Sequence, residues 1–190
     1  NSNVTFDYNV GALTAALTGS GTLNFTQGSV SLGVANASNY AGSFVLKNDA
    51  AFNLGTDVAL GNASFDVSKD ARLNILGATD YQFSSGLMGS GLLDINLGGK
   101  TFTFGDTVGN HIGNNFNGNI LLKNTLFNLG EASNSAAVIN SILSIGADSV
   151  VTIGQNNHLK GLILTEGTLS YANDSNTLNV TDLTLTGGAL

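Results

Sequence analysis

The chain has 190 residues, of which 42% are hydrophobic and 25 are Gly, and it contains no Pro, Cys or Trp. Six Lys+Arg stand against thirteen Asp+Glu, a net charge of −7, so the basic footprint that nucleic acid requires is missing, and the absence of Cys removes disulfides, thiolate metal sites and thiol nucleophiles together. Only 10% of residues are charged, against roughly 25% in ordinary soluble domains, so Asn, Ser, Thr and Gly must supply the polar surface.

A mean hydropathy of +0.19 and this length predict one folded unit over 1–190 with a substantial core. No run approaches the ~20 consecutive apolar residues of a membrane helix. There is no basic start followed by an apolar run, so no signal peptide is expected. The ends "NSNVTF" and "TGGAL" read as cut from a longer polypeptide.

In chain order, apolar residues recur with a period of two: "TLNF" (22–25), "SVSL" (29–32), "FNL" (52–54), "VAL" (58–60), "FDV" (65–67) and "LNI" (73–75). The second half continues with "FTF" (102–104), "FNL" (127–129), "VTI" (151–153), "LSY" (169–171), "LNV" (178–180) and "LTL" (183–185). Alternation of this kind marks strands with one buried face, and short strands closed by Gly, Asn or Asp mark a sandwich, barrel or solenoid. Helical periodicity appears at best in Glu131–Leu143, where Ala136, Ile139 and Leu143 could share a stripe, and little helix is expected overall.

An internal repeat separates these architectures. Gly19-Ser20-Gly21 and Leu23 match Gly89-Ser90-Gly91 and Leu93; "NYAG" (39–42) matches "NFNG" (115–118); Leu46-Lys47-Asn48 matches Leu122-Lys123-Asn124; and "FNLG" closes each copy at 52–55 and 127–130. The copies cover about 17–55 and 87–130, with Leu54 and Leu129 as equivalent inward residues. The offset between copies drifts from 70 to 76 residues while the motifs hold. A solenoid absorbs such drift in its loops because each coil touches only its neighbours, whereas a closed barrel ties strand number to shear and tilt.

The ordered set G-S-G-x-L, N-[YF]-x-G, strand, x-L-G resembles the passenger-associated repeat of autotransporter proteins, the type V secreted surface proteins of Gram-negative bacteria. The resemblance covers under half of the chain; the longer connector "GDTVGNHIGNN" (105–115) and a last third without G-S-G depart from it. It implies an all-β fold, a right-handed parallel β-helix with about three short strands per coil of roughly 20 residues. With coils about 4.8 Å apart, about nine coils make a rod roughly 45 Å long. Inward Leu, Ile, Val and Phe would form ladders, and Gly and Asn would take left-handed corners. Asn48 and Asn124 are candidates for corner ladders hydrogen-bonded between coils. The resemblance further implies a cell-surface or secreted segment, translocated by a C-terminal β-barrel outside this chain. Its partners would be a host-cell or extracellular-matrix receptor, or the same passenger on a neighbouring cell. Folding coil upon coil would aid secretion. The alternatives are the stem of a protease autotransporter and a carbohydrate-active β-helix enzyme.

For chemistry, the best enzyme candidates are Asp66, Asp70 and Asp80, accompanied by Lys69 and Arg72, which read more simply as a charged, solvated loop. His111 and His158 lie in Asn/Gly-rich segments without metal-ligand spacing. The nucleophile signatures of serine hydrolases are missing. Lys47 and Lys123 recur at one position of the repeat, which the fold alone explains. N-x-S/T triplets begin at Asn3, Asn24, Asn36, Asn62, Asn173 and Asn179, as expected by chance in so Asn-rich a chain. No cofactor, no metal, no catalytic residue and no membrane insertion of this segment are expected, and no binding residue is singled out.

Overall fold

The computed structural model describes residues 2–7, 11–33, 37, 39–107 and 110–190, with the backbone only at Thr107, Asn110 and His111. Its strands wind as a parallel β-solenoid of about eight turns, with one short helix. A first face carries six strands, Asn3–Phe6, Thr22–Phe25, Ser43–Leu46, Ser64–Val67, Gly86–Gly89 and Asn115–Phe116. A second face runs from Gly11–Leu13 through Ser29–Leu32, Ala51–Gly55 and Arg72–Leu76, and continues to Leu178–Leu185. Leu92–Phe104 and Asn119–Asn128 each round a corner, their shared register breaking between Asn96 and Lys100, so their second halves belong to a third face with Tyr81–Phe83, Val150–Ile153 and Thr168–Tyr171. Among the described residues every named pairing is parallel except Asp106–Thr107 with Asn110–His111.

Alternation in sequence becomes ladders in space. On the second face Val30, Phe52, Leu73, Leu93, Ile120, Leu143 and Leu162 stand in register, and all are buried. A second row joins Leu54, Ile75, Ile95, Leu122, Ile145 and Leu164. Burying each such side chain contributes about 1.5–3 kcal/mol. An aromatic column fills the N-terminal half of the axis: Phe44 stacks on Phe65 at 5.0 Å and 20°, Phe52 meets Phe65 edge-on at 5.3 Å, and the contacts continue through Phe83 and Phe104 to Phe127.

The corners behave as their residues demand. Asn48, Asn124 and Asp148 hold φ of 51°, 44° and 56°, the left-handed region that Asn and Asp tolerate best after Gly. Asn124 links coils through its backbone, its N–H donating to Ala147 O at 2.8 Å. The side-chain amide ladder lies elsewhere, on the second face: Asn74 Nδ2 donates to Asn53 Oδ1 at 2.7 Å, and Asn53 Nδ2 to Ser29 Oγ at 2.8 Å.

Three expectations need correction. "VAL" (58–60) is no strand. The segment turns on itself, Val58 N–H donating to Gly55 O and Ala63 N–H to Leu60 O, while Val58 and Leu60 still face the core. The coils number about eight rather than nine. Their length is uneven: Ala51 pairs with Arg72 and Arg72 with Leu92, but Leu92 pairs with Asn119, a longer coil that contains the antiparallel pair. The helix spans Ala132–Val138 and buries Asn134, Ala137 and Val138; Ile139 is exposed, and Leu143 belongs to the strand Ile142–Ile145. Following the third-face segment that ends at Asn128 and leading into Ile142–Ile145, it occupies the side on which the first face would have continued. Asn134 fastens it, Oδ1 accepting from Phe104 N–H at 2.8 Å and Nδ2 donating to Asn128 O at 2.8 Å.

The two motif copies are offset around the rod. After Gly21 the chain enters the first face, and after Gly91 it enters the second; Leu54 lies in a second-face strand, and Leu129 continues a third-face one. Both Leu residues are nevertheless fully buried. The motif therefore specifies a corner and the strand leaving it, whichever face that strand joins.

Candidate functional site

The acidic candidates do not converge. Asp66 points outward from the first-face strand Ser64–Val67, Asp70 sits in the turn that follows, and Asp80 precedes the third-face strand Tyr81–Phe83. They thus occupy successive segments of one coil rather than one groove. Asp80 Oδ1 accepts from Thr101 N–H at 2.8 Å. No cluster of three His, Asp or Glu with metal-binding geometry occurs among the described residues. His158 is an exposed outward residue, whereas the His111 side chain and Asn36 lie outside the described residues. Lys47 lies in the turn after Ser43–Leu46, and its N–H donates to Phe25 O. Lys123 has a different neighbour, Asp94, with Nζ and Oδ2 2.7 Å apart. The recurrent lysines therefore share a place in the motif and no common chemistry.

Among the described residues, two grooves lie along the rod away from its ends. One, of about 380 Å³, is lined by Asp80, Tyr81, Gln82, Thr101 and Thr103 on the third face. Burial pushes the Tyr81 phenol up to about 12, so it is a neutral group throughout the physiological range.

The other, of about 440 Å³, is lined by Asn114, Asn115, Asn117, Asn140 and Lys160. Each wall is fixed by backbone. Asn115 pairs with Met88, Asn117 N–H donates to Gly89 O at 2.9 Å, and Asn119 N–H donates to Gly91 O at 2.9 Å, which locks the corner between first and second faces. The helix then delivers Asn140, whose Nδ2 donates to Asn114 O at 3.2 Å, and Ser141, whose Oγ donates to Phe116 O at 3.0 Å. Lys160 follows buried Leu159 in Asn157–Leu164 and points outward by alternation. Successive coils thus bring Asn115 and Asn117, then Asn140, then Lys160 to one edge. Asn115, Asn117 and Lys160 are exposed and make no side-chain hydrogen bond or ion pair with another described residue.

Sequence reasoning passed over this group because Asn115 and Asn117, in "NFNG" (115–118), read as a repeat motif of the fold, and Asn140 and Lys160 lie far from them along the chain. The signal in the sequence was the long connector 105–115, whose Asn-rich end forms one wall.

No helix among the described residues is long and apolar enough to cross a membrane. No protein-family model and no solved structure matches the chain. Two Escherichia coli K12 proteins are similar to it. The uncharacterized protein YuaQ is 26% identical over 137 residues, which are 72% of this chain and 10% of YuaQ. The uncharacterized lipoprotein YdeK is 28% identical over 152 residues, which are 74% of this chain and 11% of YdeK. The chain therefore spans about a tenth of the length of the curated relatives it matches.

Proposed function

We propose that the chain is a segment of a Gram-negative autotransporter passenger, displayed at the cell surface as a β-solenoid stalk and serving adhesion or cell–cell association without catalysis. The observation that carries this reading is the neutral, laddered exterior. Outward Ser and Asn of adjacent coils bond to one another, Ser43 Oγ lying 2.9 Å from Ser64 Oγ and Asn74 Nδ2 2.7 Å from Asn53 Oδ1, and the acidic candidates are scattered over one coil. The motif order G-S-G-x-L, N-[YF]-x-G supports the same reading, as do relatives about ten times longer than the matched segment. The lipoprotein designation of YdeK supports an envelope location.

Association through such a surface would rest on many neutral hydrogen bonds and modest apolar contacts, which salt screens little. The net charge of −7 repels like chains. That repulsion shortens in range as the Debye length falls from about 30 Å at 0.01 M to about 8 Å at 0.15 M. Cells displaying the full passenger are expected to clump at 0.15 M salt, to clump less at 0.01 M, and to disperse when several outward Asn or Thr of one face become Asp. Settling assays read this directly, with sedimentation of isolated rods as control. Clumping strongest at low salt would refute neutral self-association in favour of charge pairing. Binding to host cells without clumping at any salt would assign the surface to a receptor instead.

A further inference from the structure

We infer that the groove formed by Asn115, Asn117, Asn140 and Lys160 is a binding site for a carboxylate-bearing oligosaccharide. This rests on the adhesive reading and deepens it by naming a ligand class. The donors come from three successive coils, which stack about 4.8 Å apart, so they extend over roughly 10 Å along the rod. That is longer than a simple anion and suits two or more sugar units. A primary amide offers both donors and an acceptor, the complement of a pair of neighbouring hydroxyls. Asn140 is already oriented by its Nδ2 bond to Asn114 O, which leaves its Oδ1 to accept. Asn115 and Asn117 make no side-chain hydrogen bond with other described residues.

Lys160 supplies the charge. No ion pair engages it among the described residues, in contrast to Lys123 beside Asp94. An ammonium at the end of a row of neutral amides selects a ligand with hydroxyls along its length and a carboxylate at one place. The chain as a whole repels anions, and Asp182 stands across from Gly161 beside Lys160 without an ion pair to it. At 0.15 M salt the screening length of about 8 Å suppresses the more distant carboxylates, and Lys160 is the cation among the residues that line the groove. Met88 is 43% exposed and pairs with Asn115; Ile139 is 45% exposed and precedes Asn140. These two exposed apolar residues adjoin Asn115 and Asn140 in the backbone, outside the groove lining, and offer apolar surface next to it.

The test is calorimetric titration of the 190-residue chain with oligomers of galacturonic or glucuronic acid. The comparison ligands are the methyl-esterified oligomers, citrate and an oligo-glutamate peptide. Saturable one-site binding is expected for the acidic saccharides, with esterified oligomers and citrate at least about tenfold weaker, the loss anticipated for one charge-assisted hydrogen bond. Lys160→Gln should weaken binding about tenfold or more, and Asn115→Ala with Asn117→Ala severalfold, whereas Lys100→Gln, at the corner between the second and third faces, leaves it unchanged. Each replaced side chain is exposed, so circular dichroism should confirm an unaltered fold. Absence of saturable binding, or equal binding by Lys160→Gln, overturns the assignment. Equal affinity for oligo-glutamate overturns its saccharide character. Displaying cells that adhere although the purified chain binds no saccharide would remove the groove assignment and leave the adhesive reading standing.

Discussion

Phe65→Ala is the sharpest probe of the stacked core. Phe65 is fully buried, with ring centroids 5.0 Å from Phe44, 5.3 Å from Phe52 and 6.0 Å from Phe83. Its neighbours cannot collapse far into the space, because Phe44 and Leu87 are held in register on either side by the first-face ladder. Phe→Ala in a rigid core costs about 3–5 kcal/mol, and limited relaxation places this site in the upper half of that range. Against a typical domain stability of about 5–15 kcal/mol, that is about a quarter of the total or more. Leu76→Ala serves as the comparison, since Leu76 is 46% exposed and points outward from a neighbouring strand; its cost should stay within roughly 1 kcal/mol. Urea unfolding followed by circular dichroism, with tyrosine fluorescence as a second probe, gives both values. A lowered midpoint at constant slope would show the rod unfolding as one unit, and a reduced slope would show the affected coil uncoupling from the rest. Should Phe65→Ala cost no more than Leu76→Ala, the aromatic column does not hold the coils together, and the argument for the core fails.

Leu54→Asp and Leu129→Asp each bury an unpaired carboxylate at a fully buried position and should cost several kcal/mol at neutral pH. Because burial raises the folded-state pKa of such a group above the ordinary Asp value, the lost stability should return in part as pH falls from neutral towards about 4, with no further gain below that; unchanged melting of both variants would show these positions are not interior. Asn134→Ala removes the acceptor for the buried Phe104 N–H and should cost about 1–3 kcal/mol, with loss of the small helical dichroism signal; an unchanged melting temperature would show that the helix is held otherwise. Burial holds Tyr81 at about 12 against an ordinary 10.0. The unfolded chain then ionises first, so the contribution is complete below about pH 10 and is lost as pH rises towards 12. Tyr40, also raised by burial, acts in the same direction. Denaturation across pH 9–12 should show this decline, and Tyr81→Phe should reduce it; equal slopes in the two proteins would contradict the burial of the phenol.

Much of the fold was legible because a solenoid repeats one local rule. "SVSL", "LNI" and "VTI" lie in strands whose inward members are the predicted ones, and the left-handed corners at Asn48 and Asn124 follow from residue chemistry. Period two reports burial more faithfully than backbone, which is why Val58 and Leu60 were placed inward correctly but in a strand wrongly. In the helix, Asn134 turns inward because its amide answers a strand N–H and a carbonyl that only the folded coil brings near. The hydrophobic stripe through Ala136, Ile139 and Leu143 could not reveal this. The amide groove was illegible for a related reason. Asn117 and Lys160 become neighbours only through coil lengths set by the connector and the helix, neither of which has a repeat to calibrate it.

The displacement of the motif copies by one face bears on how such a gene can change length. From Gly21 to Gly91 the chain completes three circuits and then advances one face more. Unequal recombination between the two copies would therefore remove or add a non-integral number of turns. Every downstream residue would keep its burial, since the corner-and-strand unit suits any face, yet the whole remaining rod would be rotated by one facet relative to what precedes it. Surfaces formerly aligned on one side would be dealt onto two. A single exchange could thus reshuffle what the exterior presents without touching the interior.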